Sequence, residues 1–243
     1  MRIIFTPVIF LLFVNNIFAV NPQDILNAID KNKNFGTIYY TAKMEIKINN
    51  ETRTKSMKVW AIGDQKALVE FTNPEDQGVK YLKINKELWI YFPSEQEVVK
   101  ISGHMLKEGM MGSDISYEDA LESDALYKKY SSSFLAEELI GNYNCYVLEL
   151  KAVVKNAPYY KRKIWVDKNL YIPIKEELYT KGDKVLKVSN ILEIKKIGGR
   201  YFPVKIEMIN MLRKNSKTIF EMQEIKLDIK LADDIFTMRN LQK

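Results

Sequence analysis

The stretch Met110–Ala120, "MMGSDISYEDA", concentrates side-chain oxygens in a chain whose remaining sequence reads as strand after strand. Three carboxylates this close, Asp114, Glu118 and Asp119, suggest general acid–base work or a calcium loop. The pattern argues against both. Acid–base catalysis needs a constellation, and no second carboxylate cluster or nucleophile elbow accompanies this one. "GSDISYED" lacks the D-x-[DN]-x-[DN]-G form of a calcium loop. His104 is the only histidine and Cys145 the only cysteine, so a zinc site or a Ser-His-Asp triad has almost nothing to be built from. No catalytic residue, metal ligand or cofactor is therefore assigned, and the chain is not expected to be an enzyme.

Local backbone chemistry accounts for most of these oxygens. Ser116 with Asp119 three residues on fits a capping box opening a short helix, Tyr117–Glu122. Glu118 and Asp119 then sit in its first turn, where the helix dipole favours them. Ser113 and Asp114 read as turn formers after Gly112. What remains is apolar: Met105, Leu106, Met110 and Met111, separated by Gly103, Gly109 and Gly112. Methionine adapts to irregular partners and glycine permits hinge motion. The segment around 103–127 is either filler over a closed core or a movable lid over a cavity for an acyl chain.

The elements that hold this segment follow from periodicity. Asn21–Asn32 predicts a first helix, with Asn21 as cap, Pro22 at the first helical position and an apolar stripe of Ile25, Leu26 and Ile29. After it, apolar residues recur at every second position. Ile38, Tyr40, Ala42, Met44, Ile46 and Ile48 share one face, with Lys43, Glu45 and Lys47 on the other. Phe202, Val204, Ile206 and Met208 repeat the pattern. About eleven strands joined by tight turns predict an antiparallel meander, with no βαβ alternation and no Rossmann-type site. Charges on the polar face argue against a lipid-facing barrel. The last long strand changes phase, which a β-bulge near Gln223 explains. One apolar face of a large curved sheet needs a cover. The first helix, the segment at 103–127 and the tail "LADDIFTMRNL" are the candidates.

The N-terminus has a separate role. Arg2, the apolar run Ile3–Val14 and a small Ala19 make residues 1–19 a secretory signal peptide. Residues 20–243 are left as a single, exported domain. No cysteine stands at the cleavage point to be lipidated, and Cys145 reads as a small buried hydrophobe. Of the 243 residues, 47% are hydrophobic and 28% charged, which suits an ordinary globular core. The net charge of +6 is spread through the strands rather than gathered, so no nucleic-acid partner is expected.

Phe71–Ala120 resembles the signature of the outer-membrane lipoprotein-sorting (LolA-like) family. That form runs from a proline turn and a glycine through an "LWxYxP" strand and a basic segment to "MGSDFSYEDL". "KIWVDKNLYIP" and "GGRYFPVKIEM" also match, and the resemblance covers nearly all of residues 20–243. Ile115 and Ala120 stand where the family has a larger aromatic and a leucine. The resemblance implies a mainly β fold with covering helices: an incomplete antiparallel barrel whose apolar concave face is closed by a helical and loop lid. It implies a monomeric periplasmic carrier of lipoprotein acyl chains or another lipid, passing cargo from an inner-membrane transporter toward an outer-membrane acceptor. The alternative is an envelope interaction module with a filled core, accessory to an export pump. The residues expected to line the cavity and lid are Tyr40, Met44, Val69, Leu148, Met208, Met105, Leu106, Met110 and Met111. Trp89 and Tyr91 share one face of "LWIYFP", and the pattern alone does not say whether that face points inward.

Overall fold

The computed structural model describes residues 20–33, 35–122 and 125–243; the expected signal peptide, 1–19, lies outside them. Helix α1 spans Pro22–Lys33. The Asn21 side chain accepts from the Gln23 amide at 3.1 Å, so it caps the helix. Ile25, Leu26 and Ile29 are all buried.

Every period-two stretch forms its own strand, giving thirteen where about eleven were expected. They are β1 (Thr37–Ile48), β2 (Glu51–Ile62), β3 (Lys66–Phe71), β4 (Lys80–Ile84), β5 (Glu87–Phe92), β6 (Glu97–Ile101), β7 (Tyr130–Ile140), β8 (Tyr143–Ala152), β9 (Lys161–Asp167), β10 (Pro173–Tyr179), β11 (Val185–Ile197), β12 (Arg200–Asn210) and β13 (Ser216–Leu227). All belong to one sheet in the order β6-β5-β4-β3-β2-β1-β13-β12-β11-β10-β9-β8-β7. Each adjacent pair is antiparallel, including β1 with β13, so the two ends of the chain meet mid-sheet.

This topology leaves two edges, β6 and β7, and they are consecutive in sequence. The chain between them, 102–129, carries α2 (Tyr117–Leu121) and α3 (Leu126–Lys129). The sheet is an open barrel, and the segment rich in carboxylates and methionines joins its two free edges. The phase change in β13 is a bulge. Tyr39 pairs with Lys226 and Thr41 with Gln223, so β13 carries one extra residue there. Glu224 takes a left-handed conformation at φ 48° to absorb it.

The inner face holds two apolar clusters. Ala42, Met44, Ile46, Met57, Phe71 and Ile90 form the first, across β1–β6. Leu148, Leu150, Ile164 and Val166 form the second with Ile25, Leu26 and Ile29 of α1. On the outer face, Leu68 and Leu82 pack against Phe236 and against Leu241 of α4 (Met238–Leu241). The tail therefore covers the outer face of β3 and β4, not the inner one. Cys145 is fully buried, and burial pushes its thiol up to about 11. Among the described residues no helix is long and apolar enough to cross a membrane.

Candidate functional site

The segment 103–122 packs on the first inner cluster. Met110 is buried there, with Met105, Leu106, Met111, Ile115, Tyr117 and Leu121 against it. Its fold is local. Ser116 caps α2 and accepts from the Asp119 amide, while the Asp119 carboxylate accepts from the Ser116 amide at 2.9 Å. That is the capping box read from sequence. Gly109 has a packing reason: a Cβ on it would lie 2.0 Å from the Ser113 carbonyl oxygen. The chain closes on itself here, with Gly109 bridged to Ser116.

The carboxylates do more than cap and turn. The Asp114 side chain is fully buried, accepting from Ser216 Oγ at 2.6 Å and Thr218 Oγ1 at 2.9 Å, both on β13. It is thus not a simple turn former. Asp119 meets Lys187 of β11 at 2.5 Å and the Tyr159 hydroxyl at 2.5 Å. Burial works to raise its carboxyl, but the Lys187 charge and the bonds from Lys187, Tyr159 and Ser116 together hold it below the usual range. Glu122 meets Arg162 of β9 at 2.5 Å, and Arg162 also faces Glu176 of β10 at 3.5 Å. Arg162 is held between the rings of Tyr130 and Tyr159, 4.9 and 5.3 Å from their centroids. Arg213, beyond β12, donates to the Gly112 carbonyl at 3.0 Å. Three carboxylates of one segment therefore tie to three strands from the opposite half of the sheet. Glu118 stands apart: burial, then the Asp119 charge, raise its carboxyl. Among the described residues no cluster could hold a metal ion.

An apolar cavity of about 300 Å³ lies elsewhere, between α1 and the inner face of β1, β12 and β13. Ile38, Tyr40, Ile172, Phe202, Ile206 and Met222 line it, with Ile29 and Phe35 on the helix side. The Tyr40 hydroxyl is pushed up to about 12 by burial. A second, more polar space of about 510 Å³ adjoins it, sharing Asn32, Tyr171 and Tyr201. The Asn32 amide donates to the Leu170 carbonyl at 2.8 Å and pins the end of α1 to the rim.

The residues expected to meet cargo are divided by the fold. Tyr40, Met44, Val69, Met105, Leu106, Met110 and Met111 come together in one cluster, and Tyr40 alone of them also lines the cavity. The methionines pack on the inner cluster that includes Met44 and Ile46. Leu148 lies in the other inner cluster, under α1. Met208 is half-buried on β12 opposite Thr218. Trp89 and Tyr91 are not on the inner face: they pack on the outer side with Trp60 and Phe236, whereas Leu88 and Ile90 point inward. The cavity residues Ile38, Phe202 and Ile206 carried a signal, the same parity as Tyr40 and Met208. The charges of buried Arg162 and half-buried Glu176 and Lys187 carried none, being scattered among apolar strand residues.

An open sheet with a bridged seam and an apolar cavity under its first helix has close counterparts among solved structures. A protein of the DUF1329 family from Desulfovibrio piger is 26% identical, with 90% of this chain and 97% of that one covered at a TM-score of 0.84. A putative outer membrane lipoprotein-sorting protein domain from Vibrio parahaemolyticus is 24% identical over 92% of this chain and 100% of that one, TM-score 0.80. A LolA superfamily protein from Nitrosomonas europaea is 23% identical over 91% and 100%, TM-score 0.74. A family model whose description reads "Uncharacterized protein"-like matches residues 63–243. The chain belongs to the family of that model, and it shares its fold with the lipoprotein-sorting and LolA superfamily structures. No curated protein matches it. These likenesses show the fold, an open antiparallel sheet shared with proteins named for lipoprotein sorting. The matched residues span the segment that joins β6 to β7 and most of the cavity wall.

Proposed function

We propose that this LolA-like protein is a non-enzymatic periplasmic carrier that shelters an acyl chain of a lipoprotein or another lipid for transfer toward the outer membrane. The observation that carries the reading is the apolar cavity between α1 and the sheet. Removing apolar surface from water is the only driving force it needs, at about 0.8 kcal/mol for each buried CH₂. Loading and release would be the work of an inner-membrane transporter and an outer-membrane acceptor. The segment at 103–127 acts as the lid, with Met105, Leu106, Met110 and Met111 as the surface that re-forms around cargo when its ionic ties open.

The test is extraction of the purified protein with organic solvent, mass spectrometry of what elutes, and titration with a fluorescent fatty acid. A co-purifying lipid and saturable uptake support the carrier. No lipid and no uptake overturn it, and leave the alternative of an interaction module, which the packing of Met105, Leu106, Met110 and Met111 on the inner cluster favours. N-terminal sequencing of the exported protein tests residues 1–19 as a cleaved leader: a mature chain that still starts at Met1 contradicts it.

A further inference from the structure

The polar space at the mouth of the cavity has its own chemistry. Its described lining includes Lys31 of α1 and Arg200 of β12, with Asn32, Asn169 and the backbone of Gly199. Lys31 and Arg200 are exposed. A third cation, Lys196, stands 5.5 Å from the ring of Tyr201, a residue shared by both spaces. An apolar cavity thus runs into a mouth bordered by cations and amides. The cavity is also small. About 300 Å³ is at the lower end of the range for small-ligand sites, roughly 300–1,000 Å³, so it has room for one chain rather than two or three.

We infer that the site takes a single-chain anionic amphiphile, its chain between α1 and the sheet and its head, a carboxylate or a phosphate, at Lys31 and Arg200. The inference rests on the carrier reading and narrows it. The tail supplies affinity by burial, and the head sets orientation. Each exposed cation is worth about 1.4- to fivefold in affinity, since exposed ion pairs contribute roughly 0.2–1 kcal/mol. A lipoprotein with several chains and no anionic head would have to widen the cavity first.

Displacement of the neutral dye Nile red from the full-length mature protein separates the possibilities. The competitors are hexadecanoate, hexadecyl phosphate, hexadecanol and a two-chain phosphatidylglycerol, at pH 8. The expected order places either or both single-chain anions about tenfold ahead of hexadecanol and ahead of the two-chain lipid. The preferred anion tells a carboxylate from a phosphate head. In K31Q/R200Q, checked for native circular dichroism, the anions fall to the level of hexadecanol, while hexadecanol itself is unchanged. Equal displacement by anion and alcohol, an anion preference that survives the double substitution, or a stronger effect of the two-chain lipid would each overturn the inference while leaving a carrier. If neither Nile red nor any competitor binds, the carrier reading itself fails.

Discussion

Asp119→Asn should loosen the segment 103–122 from the sheet without unfolding the barrel. Its carboxylate takes four short contacts: the Ser116 amide at 2.9 Å, Ser116 Oγ at 2.7 Å, Lys187 Nζ at 2.5 Å and the Tyr159 hydroxyl at 2.5 Å. An asparagine oxygen can keep the cap, but it supplies no charge to Lys187. The Lys187 and Asp119 side chains are each only 12% exposed. Removing one partner of a buried pair costs about 3–5 kcal/mol. The retained cap bond places the expectation near the lower end, about 3 kcal/mol. Local opening should then speed hydrogen exchange of the Ser113–Leu121 amides about a hundredfold, since 1.36 kcal/mol is a factor of ten. Amides of β3 and β8 should be unaffected. The sign with pH follows from the lowered carboxyl. A depressed folded-state pKa stabilises above the unfolded value of about 3.9, and that stability is lost as pH falls through the folded value. Exchange corrected for intrinsic rates should therefore accelerate in this segment below about pH 4, and Asp119→Asn should lack that acid step. Acceleration under fivefold, or spread evenly over β11, would show that the pair does not hold the segment down.

Gly109→Ala should cost about 1–3 kcal/mol through overpacking against the Ser113 carbonyl, with Gly182→Ala, whose nearest neighbour stands 3.8 Å away, as a neutral control in urea melts. Arg162→Met removes the cation facing Glu176 and leaves Glu122 with only Lys129 at 3.7 Å, and should lower stability by about 3–5 kcal/mol; adding Glu122→Gln should recover part of the loss in the same melts. Ile206→Trp fills the cavity from β12 and should abolish fatty-acid uptake while leaving the exchange of the 103–122 amides unchanged. Cys145, buried and with a thiol pKa near 11, should resist iodoacetamide at pH 8 in the folded protein and react fully in urea.

The legible part of this fold is the part governed by period and punctuation. Alternation along Ile38–Ile48 and Phe202–Met208 identified the inner face, and the turns between stretches set the antiparallel order. The phase change in β13 was visible because a one-residue bulge flips every later side chain. The capping box at Ser116 was visible because it is made within four residues. Contacts across the sheet were not. Nothing in "KRKIWV" distinguishes Arg162, whose guanidinium is buried between two tyrosine rings, from Lys161 beside it. Parity was also insufficient for Trp89 and Tyr91. Both faces of β5 are apolar because the C-terminal tail covers the outer one, so alternation had no polar side to mark it.

The same limit explains why the methionines and the cavity are in different places. An apolar residue in sequence signals burial, and burial against the protein's own core looks the same as burial against a ligand. Met110 is buried in the same inner cluster as Met44 and Ile46. On the other side of β1 the strands β10, β12 and β13 present an inner face to a single helix of twelve residues. A helix covers a stripe about 10 Å wide, too narrow to fill the space across these strands, and the gap is the cavity. The segment 103–122 closes the seam by charge, and the space for a ligand follows from how little helix the chain supplies over β12 and β13. On the proposed reading, a chain beside α1 would be held without opening the seam, and only cargo larger than that gap would need it opened.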